Sequence, residues 1–484
     1  MRLARTIAFW LLAVALLACH VIVIQHSLGA RFWEDEAFNL TVPRNLLAGL
    51  GYASDGALSG STITLFDPRI STGPTVLLPV AAVLAFGADA VIGARMIPLA
   101  FWIALIAGLV VLGRRTAGRW AALAAAAVPL AFNGLGSVSP IQGPTDLLGE
   151  IPAAALLVWA LVVLPRRAWL AGLLVGLAVQ AKLIALLALP GFAVALWVLA
   201  PGHGWQRILQ TLKRSWLPLV MVGVPTLLVE VAAFLSMGPT GFVDHLRGLA
   251  RFVRGGGQHV RPTTVNEKLE TLGGAWFVPS WVAVAAAVLC ALLVVGGVLA
   301  VRGRTTDADR QAVTLVAAST IGALAFLGWW STAAHTPLWV RHPAVGVLAF
   351  FPVLVIAAVW GARRLGAGGT IRRVVAGILV ALLSGSLAWS IAGHVQQTTL
   401  PRSETLASQR AAVEPIRVWV QQSGTPWLAA RPWGAAIAPI VMSGAHVGLW
   451  DAQAMAGVPQ LTGAPCDTPT LVAGTRYRVC AAPR

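Results

Sequence analysis

Apolar runs of about twenty residues, separated by short basic clusters, recur from Thr6 to Gly393, and about twenty residues is what an α-helix needs to cross a hydrocarbon core roughly 30 Å thick. In lipid every backbone N–H and C=O must find its partner inside the chain, so such a sequence folds as a bundle of transmembrane helices. Composition excludes a soluble globule: 57% of the residues are hydrophobic and only 11% are charged, where a soluble domain carries about 25% charged residues. The net charge of +17 does not point to nucleic acid, because the bases stand in clusters at the ends of the apolar runs, where such residues set topology.

The run that follows Arg2 and Arg5 ends near Ile24 without a convincing small-residue cleavage site and reads as an uncleaved first span, N-terminus inside. From His26 to Arg69 the chain lies outside and includes a surface helix from Val42 to Leu50. The run from Gly73 to Phe86 contains Pro74 and Pro79 and is short for the roughly 20 residues of a crossing, so it is expected to be juxtamembrane or re-entrant. The predicted fold is all-α and polytopic, with eleven spans at 6–25, 93–113, 119–134, 148–164, 168–181, 183–200, 216–236, 276–301, 312–330, 343–361 and 373–393. This arrangement puts Arg114, Arg115, Arg119, Arg166, Arg167, Arg207, Lys213, Arg214, Arg302, Arg304, Arg310, Arg363, Arg364, Arg372 and Arg373 on the inner side with Arg2 and Arg5, opposed there only by Asp307 and Asp309. The positive-inside rule then places the C-terminus outside. Two domains are expected: a transmembrane domain over 1–395 and a small extracytoplasmic α/β domain over 396–484. Cys466 and Cys480 close a short loop in that outer tail and are expected to form a disulfide, while Cys19 and Cys290 read as packing residues.

Function is sought where polar groups survive at the membrane, because burying them is costly unless they are used. Glu34, Asp35 and Glu36 follow the first span, between Phe32-Trp33 and Phe38, in a chain with only 18 acids among 484 residues. Carboxylates so held suit proton abstraction from a hydroxyl or coordination of a cation near a lipid head group; a solvated loop between aromatic anchors is the plainer alternative. Asp146 and Glu150 stand four residues apart at the outer start of a span, which puts both on one helical side; acids there also complement the helix dipole. Lys182 interrupts two apolar runs at the outer boundary and either snorkels or faces a phosphate. Within the outer segment from Met237 to Gly274, Arg247, Arg251 and Arg254 share one face of a basic interfacial helix whose other face carries Leu246, Leu249, Phe252 and Val253. That face suits anionic head groups in general or a dedicated phosphate clamp. The Gly255-Gly256-Gly257 joint, His259 and Arg261 extend this surface. Arg341-His342-Pro343 opens a later span and either holds a lipid phosphate or caps the interface. His245, His259, His335 and His342 make a metal conceivable but lack a specific ligand spacing, and Glu230 is read as structural.

The order of these motifs resembles the GT-C fold of membrane glycosyltransferases that use polyprenyl-phosphate sugars, among them aminoarabinose transferases, protein O-mannosyltransferases and related lipopolysaccharide sugar transferases. The resemblance rests on Glu34-Asp35-Glu36-Ala37-Phe38, Phe66-Asp67-Pro68, Gly73-Pro74, Phe86-Gly87 with Arg95, Arg114-Arg115, Asp146 to Pro152, Ala181-Lys182 and Arg341-His342-Pro343, and covers most of residues 1 to 360. It implies a cell-envelope enzyme, multi-pass in the cytoplasmic membrane, acting on its outer face. Asp35 would activate the acceptor hydroxyl together with Glu36, and Asp146 and Glu150 would bind substrate or a cation. Lys182, Arg247, Arg251, Arg254, Arg341 and His342 would neutralise the donor phosphate. The partners implied are the polyprenyl-phosphate sugar and a lipid, glycan or protein acceptor; no cofactor is certain, although some members bind a divalent cation near this loop. The competing class is a lipid or lipid-linked-sugar transporter, which would show polar groups at the bilayer midplane and a two-fold repeat of spans; neither is visible in the sequence.

Overall fold

The computed structural model describes residues 2–132, 141, 143–254, 261–301 and 306–482. In chain order the membrane part comprises α1 (Arg2–Leu28), α2 (Glu34–Leu47), a hairpin of β1 (Ala53–Ser54) and β2 (Thr64–Leu65), α3 (Pro74–Ala85), α4 (Ala90–Ala131), α5 (Glu150–Val163), α6 (Ala168–Ala181), α7 (Leu189–Leu199), α8 (Gly204–Arg254), α9 (Val265–Gly274), α10 (Ser280–Ala300), α11 (Asp307–Thr332), α12 (Arg341–Gly366) and α13 (Thr370–Thr398). Among the described helices seven are long and apolar enough to cross a membrane: α1, α4, α8, α10, α11, α12 and α13. α12 is the hub, with 78% of its most apolar window buried against 11% for α1, α8 and α13; a helix apolar all round belongs inside a bundle. It packs on α4, α5, α10, α11 and α13.

Several boundaries differ from the sequence expectation, each for a local reason. The two runs expected at 93–113 and 119–134 are separate arms, Ala90 to Thr116 and Arg119 to Ala131 of α4, that fold back on each other at the non-helical Ala117-Gly118. Gly118 takes φ 76°, open to glycine at no steric cost, and a Cβ on Gly113 would meet Ala122 at 2.6 Å, so the two arms lie in contact. The basic interfacial helix expected at 244–254 is the last part of α8, continued across a kink at Gly238. The surface helix expected from Val42 to Leu50 begins at Glu34 and stops at Leu47. Three acids in its first turn complement the helix dipole, and Phe38, Leu40 and Val42 bury against the core. Asp146 and Glu150 do not share a helical side: α5 starts at Glu150, and Asp146 lies in the turn before it. The Gly73 to Phe86 run forms α3, a helix of 12 residues, below the roughly 20 of a straight crossing. The Gly255-Gly256-Gly257 joint, His259, Arg302 and Arg304 lie outside the described residues.

After α13 the chain forms α14 (Leu406–Ser423), β3 (Trp427–Ala430), α15 (Ile437–Ser443), β4 (His446–Leu449), β5 (Gln460–Thr462), β6 (Thr470–Ala473) and β7 (Arg478–Cys480). The strands make one sheet in the order β4-β3-β5-β7-β6, parallel from β4 to β5 and antiparallel beyond. Cys466 and Cys480 are joined as a disulfide, with Cα atoms 5.6 Å apart. This small domain is sewn to the membrane part through its own polar groups. Gln409 exchanges two hydrogen bonds of 2.8 Å with the backbone of Phe32, and the Leu406 N–H donates to Gly29 O. Arg44 of α2 donates to the Val441 and Gly444 carbonyls at the end of α15, at 2.6 and 2.7 Å. Asp55 accepts from Asn45, from the Val447 N–H and from His446 Nδ1. Apolar residues of both parts, such as Phe38, Val347 and Ile440, belong to one continuous core.

Candidate active site at the first turn of α2

The site grows from the first turn of α2. Successive helical residues point about 100° apart, so Glu34, Asp35 and Glu36 cannot face one target, and each meets its own arginine. Glu34 makes a two-pronged pair with Arg31 at 3.1 and 3.2 Å. Asp35 pairs with Arg341 at the start of α12. Glu36 points inward, where Arg95 of α4 grips it through Nε at 2.9 Å and Nη2 at 2.5 Å. Neither side chain of that last pair has any solvent exposure.

Arg95 also donates to the carbonyls of Leu28, Ala30 and Arg31, occupying acceptors that the end of α1 leaves without helical partners. A buried charge is tolerated when it is paired and fully hydrogen-bonded, and this one is. Glu36 additionally accepts from the Leu147 N–H at 3.1 Å, and Asn39, one turn further along α2, donates to the Leu147 carbonyl at 2.7 Å. Ser27 and Thr145 share a hydrogen bond of 2.6 Å. The segment carrying Asp146 and Glu150 is thus fixed to α1 and α2 on both sides of Leu147. Asp146 is buried, within electrostatic reach of Arg95 and Arg402.

Lys182 stands in extended backbone between α6 and the short 3-10 turn Leu183–Ala188. Its ammonium lies 2.9 Å from Glu150 and 2.9 Å from the Ser71 hydroxyl. The placement depends on two glycines: a Cβ on Gly149 would sit 2.0 Å from Ala181 O, and one on Gly73 2.1 Å from Gln180 O, so only residues without a side chain let α5 and α3 begin against the end of α6. Arg341 lies 4.4 Å from the Trp339 ring centroid and 5.9 Å from that of Trp33, within cation–π range. His342 is in the electrostatic field of Arg341, Lys182 and Lys268 together. Lys268 of α9, fully buried, donates to Trp330 O, Ala333 O and Thr336 Oγ1 at the end of α11; desolvation holds its pKa below the ordinary lysine value.

Asp35, Arg341, His342, Lys182 and Glu150 therefore form one cluster. Three buried polar atoms around it have no hydrogen-bond partner among the described residues: Trp33 Nε1, His342 Nδ1 and Glu150 Oε2. Buried polar groups are ordinarily paired, and these three stand beside the Arg341 and Lys182 cations. Arg247, Arg251 and Arg254 are elsewhere. Arg247 pairs with Asp244 at 3.0 Å in the open, Arg254 is exposed, and Arg251 lines a groove of about 820 Å³ between α8 and the hairpin segment, together with Arg69, Pro68, Met237, His245 and Phe252. Glu230 lies 3.5 Å from His245, and His335 is exposed.

A divalent cation does not suit this set of donors. Among the described residues no three of His, Cys, Asp and Glu converge, and Asp35, Glu36 and Glu150 each already face a cationic side chain that would compete with a metal. Sequence reasoning quoted Arg95 only as part of the motif with Phe86-Gly87, without a function, and gave no role to Lys268 or Arg69. Arg95 begins an apolar run, where the cost of a charge demands a partner, whereas Lys268 stands between Glu267 and Glu270 in a polar stretch that gives no such signal.

No family model and no curated protein sequence matches the chain. Solved structures do. ArnT from Cupriavidus metallidurans, known in the apo state and bound to undecaprenyl phosphate, is 14% identical, with 97% of each chain covered and a TM-score of 0.59. The Archaeoglobus fulgidus oligosaccharyltransferase in complex with Zn and sulfate is 12% identical over 91% of this chain and 62% of its own, TM-score 0.52. The arabinofuranosyltransferase AftD from Mycobacteria is 14% identical over 97% of this chain and 40% of its own, TM-score 0.51. At such identities the likeness is one of fold, and it extends through the small outer sheet as well as the helices. The chain is a multi-pass membrane protein with the GT-C fold.

Proposed function

We propose that the chain is a membrane glycosyltransferase that moves a sugar from a polyprenyl-phosphate donor to a lipid, glycan or protein acceptor, with inversion, at the outer face of the cytoplasmic membrane. Its N-terminus is then cytoplasmic, and the α2 site and the C-terminal domain face the other side. The observation that carries this reading is the Asp35–Arg341 pair beside Lys182 and Glu150, set in a GT-C fold. The undecaprenyl phosphate bound by ArnT supports a polyprenyl phosphate as the carrier.

The donor phosphate enters between Arg341 and Lys182, whose charges neutralise it, with the His342 ring and the Trp33 N–H as further contacts. Glu150 holds the lysine in position. Arg69 and Arg251, lining the groove, add a positive field that steers anionic head groups toward Lys182. As Arg341 turns to the phosphate, Asp35 is released to accept the acceptor O–H. Asp35 takes the proton while the acceptor oxygen attacks the anomeric carbon, the bond from that carbon to the phosphate oxygen breaks, and the polyprenyl phosphate leaves with the electron pair. Attack opposite the leaving group inverts the anomeric configuration. Glu36, enclosed by Arg95, positions rather than reacts.

The test is transfer from a radiolabelled polyprenyl-phosphate sugar by the purified chain in proteoliposomes. Asp35→Asn should lower turnover by about 10²–10⁴ fold, the usual contribution of a positioned base, without lowering the melting temperature. Undiminished transfer by this variant removes Asp35 from its role, and lipid translocation without any transfer favours a flippase instead.

A further inference from the structure

The C-terminal domain brings a second feature to the site. Parallel strands β3 and β4 both end on exposed tryptophans: Trp433, 49% exposed, follows β3, and Trp450, 43% exposed, follows β4. The two loops are joined, since the Trp450 N–H donates to Ala430 O at 3.0 Å. The order β4-β3-β5 makes β3 and β4 adjacent parallel strands, so both tryptophan loops leave their carboxyl ends, the end beyond which α/β sheets bind their ligands.

Trp433 is held there against its own preference. Its φ is 56°, a left-handed backbone that is an outlier for so bulky a residue, and strain of this kind gathers at binding sites. Its ring meets that of Phe38 in a T-shaped contact, with centroids 5.6 Å apart and planes at 89°. Phe38 lies three residues after Asp35 on α2, on the same helical face. The loop cannot drift from α2, because Arg44 and Asp55 fasten α15 and β4 to the membrane part. Arg431 and Asp451 stand exposed beside the two tryptophans and supply a donor and an acceptor for hydroxyl groups.

From this we infer that Trp433 and Trp450, with Arg431 and Asp451, form a saccharide-binding platform that seats a sugar ring of the acceptor over the α2 site. The acceptor is accordingly a glycan or glycolipid rather than a peptide, an inference that rests on the transferase reading above. The electron-rich face of an indole matches the C–H face of a pyranose or furanose, and hydroxyls at the ring edge reach the flanking charged groups. A membrane-interface anchor would use the same residue type but would not require the left-handed backbone at Trp433.

The experiment measures binding by calorimetry, using the full chain in nanodiscs to avoid sugar-headed detergents, with linear hexasaccharides of glucose, mannose and arabinose as probes. At least one should bind. Trp433→Ala should weaken it by about tenfold or more and Trp433→Phe by only about threefold, tenfold being a change easily read as a shift in Kd. Absence of binding to all three, or wild-type affinity in Trp433→Ala, overturns the platform. Should Trp433→Ala fail to melt cooperatively, the surface variant Trp450→Ala decides in its place, and undiminished affinity there overturns the platform too. Binding that persists where sugar transfer is never found refutes the transferase reading and leaves the platform standing; transfer to a peptide without saccharide binding refutes the platform alone.

Discussion

Asp35 and Glu36 are adjacent in sequence, yet they enter two unlike regions. Around Glu36 every group is spoken for: Arg95 fills both carboxylate oxygens, and its remaining N–H groups cap the end of α1. Around Asp35 the ion pair is partly exposed, at 15% for Asp35 and 8% for Arg341, cations accumulate, and buried polar atoms on Trp33, His342 and Glu150 await partners. A fully satisfied buried network makes a chain rigid and specifies its structure, while a partly satisfied one is costly unless something else completes it. The contrast teaches that the acidic motif serves two environments with one helical turn: its third residue fixes the turn in space, and its second stands in the partly satisfied cluster where we propose the chemistry takes place.

The largest effect should come from breaking the enclosed pair. Arg95→Ala leaves Glu36 buried without its cation and frees the carbonyls at the end of α1, a change of the class that costs about 3–5 kcal/mol. Thermal melting of the purified variant should fall steeply or expression be lost. Arg95→Lys should recover little, because an ammonium cannot reproduce the fork that serves Glu36 and three carbonyls at once. Melting close to wild type in Arg95→Ala would erase the distinction between the two regions.

Next is Arg341. Arg341→Ala should cost about 1–3 kcal/mol of stability, the penalty of leaving a largely buried partner unsatisfied, and raise the donor KM by roughly 10-fold to 100-fold, since a hydrogen bond to a charged group is worth about 1.5–3 kcal/mol. Arg341→Lys should recover part of the affinity, unlike its counterpart at Arg95. Steady-state kinetics against donor concentration separates the two outcomes. A large loss of stability with an unchanged KM would mean that this region is a clamp as well.

What the sequence made legible follows the same division. The helical frame was readable because the bilayer imposes one length and one polarity on every crossing, and Lys182 and Arg341 stood out as cations at breaks between apolar runs. Arg95 did not, because its meaning lies in Glu36, 59 residues away, and no local pattern pairs them. The helical start at Glu34 was legible in principle, as three acids before an apolar stretch are a helix N-terminus signal, but aromatic neighbours suggested a loop. Asp146 and Glu150 show the converse error: four-residue spacing implies a shared face only where the helix has begun, and here it begins at Glu150. The outer tail read as a separate cap, whereas its docking depends on single polar residues such as Gln409 and Asp55, which carry no periodic signature.

Lys182 offers a finer test, because it bridges a buried acid and an open mouth. Lys182→Met should cost about 1–3 kcal/mol, the penalty of leaving a buried partner unsatisfied, and Glu150→Gln in the same chain should recover most of that stability by removing the stranded charge. Donor binding should not recover with it. If the double variant regains donor affinity as well as melting temperature, Lys182 acts only by neutralising Glu150, and the cluster around Asp35 has one phosphate ligand fewer.

The smallest effect belongs to the basic face of α8, and its smallness is informative. Arg247 makes its pair with Asp244 at the surface, with 71% and 65% of the side chains exposed, where such pairs contribute about 0–1 kcal/mol and are screened by salt. Arg247→Gln should leave melting and donor KM unchanged within error, while Arg251→Gln, whose side chain lines the groove with Arg69, should lower the rate of donor capture at low ionic strength and lose that effect at high salt. Equal behaviour of the two would show that α8 attracts anionic head groups as a whole face. A difference confined to Arg251 would place the approach of the donor along the groove, and would extend the region around Asp35 by one more cation.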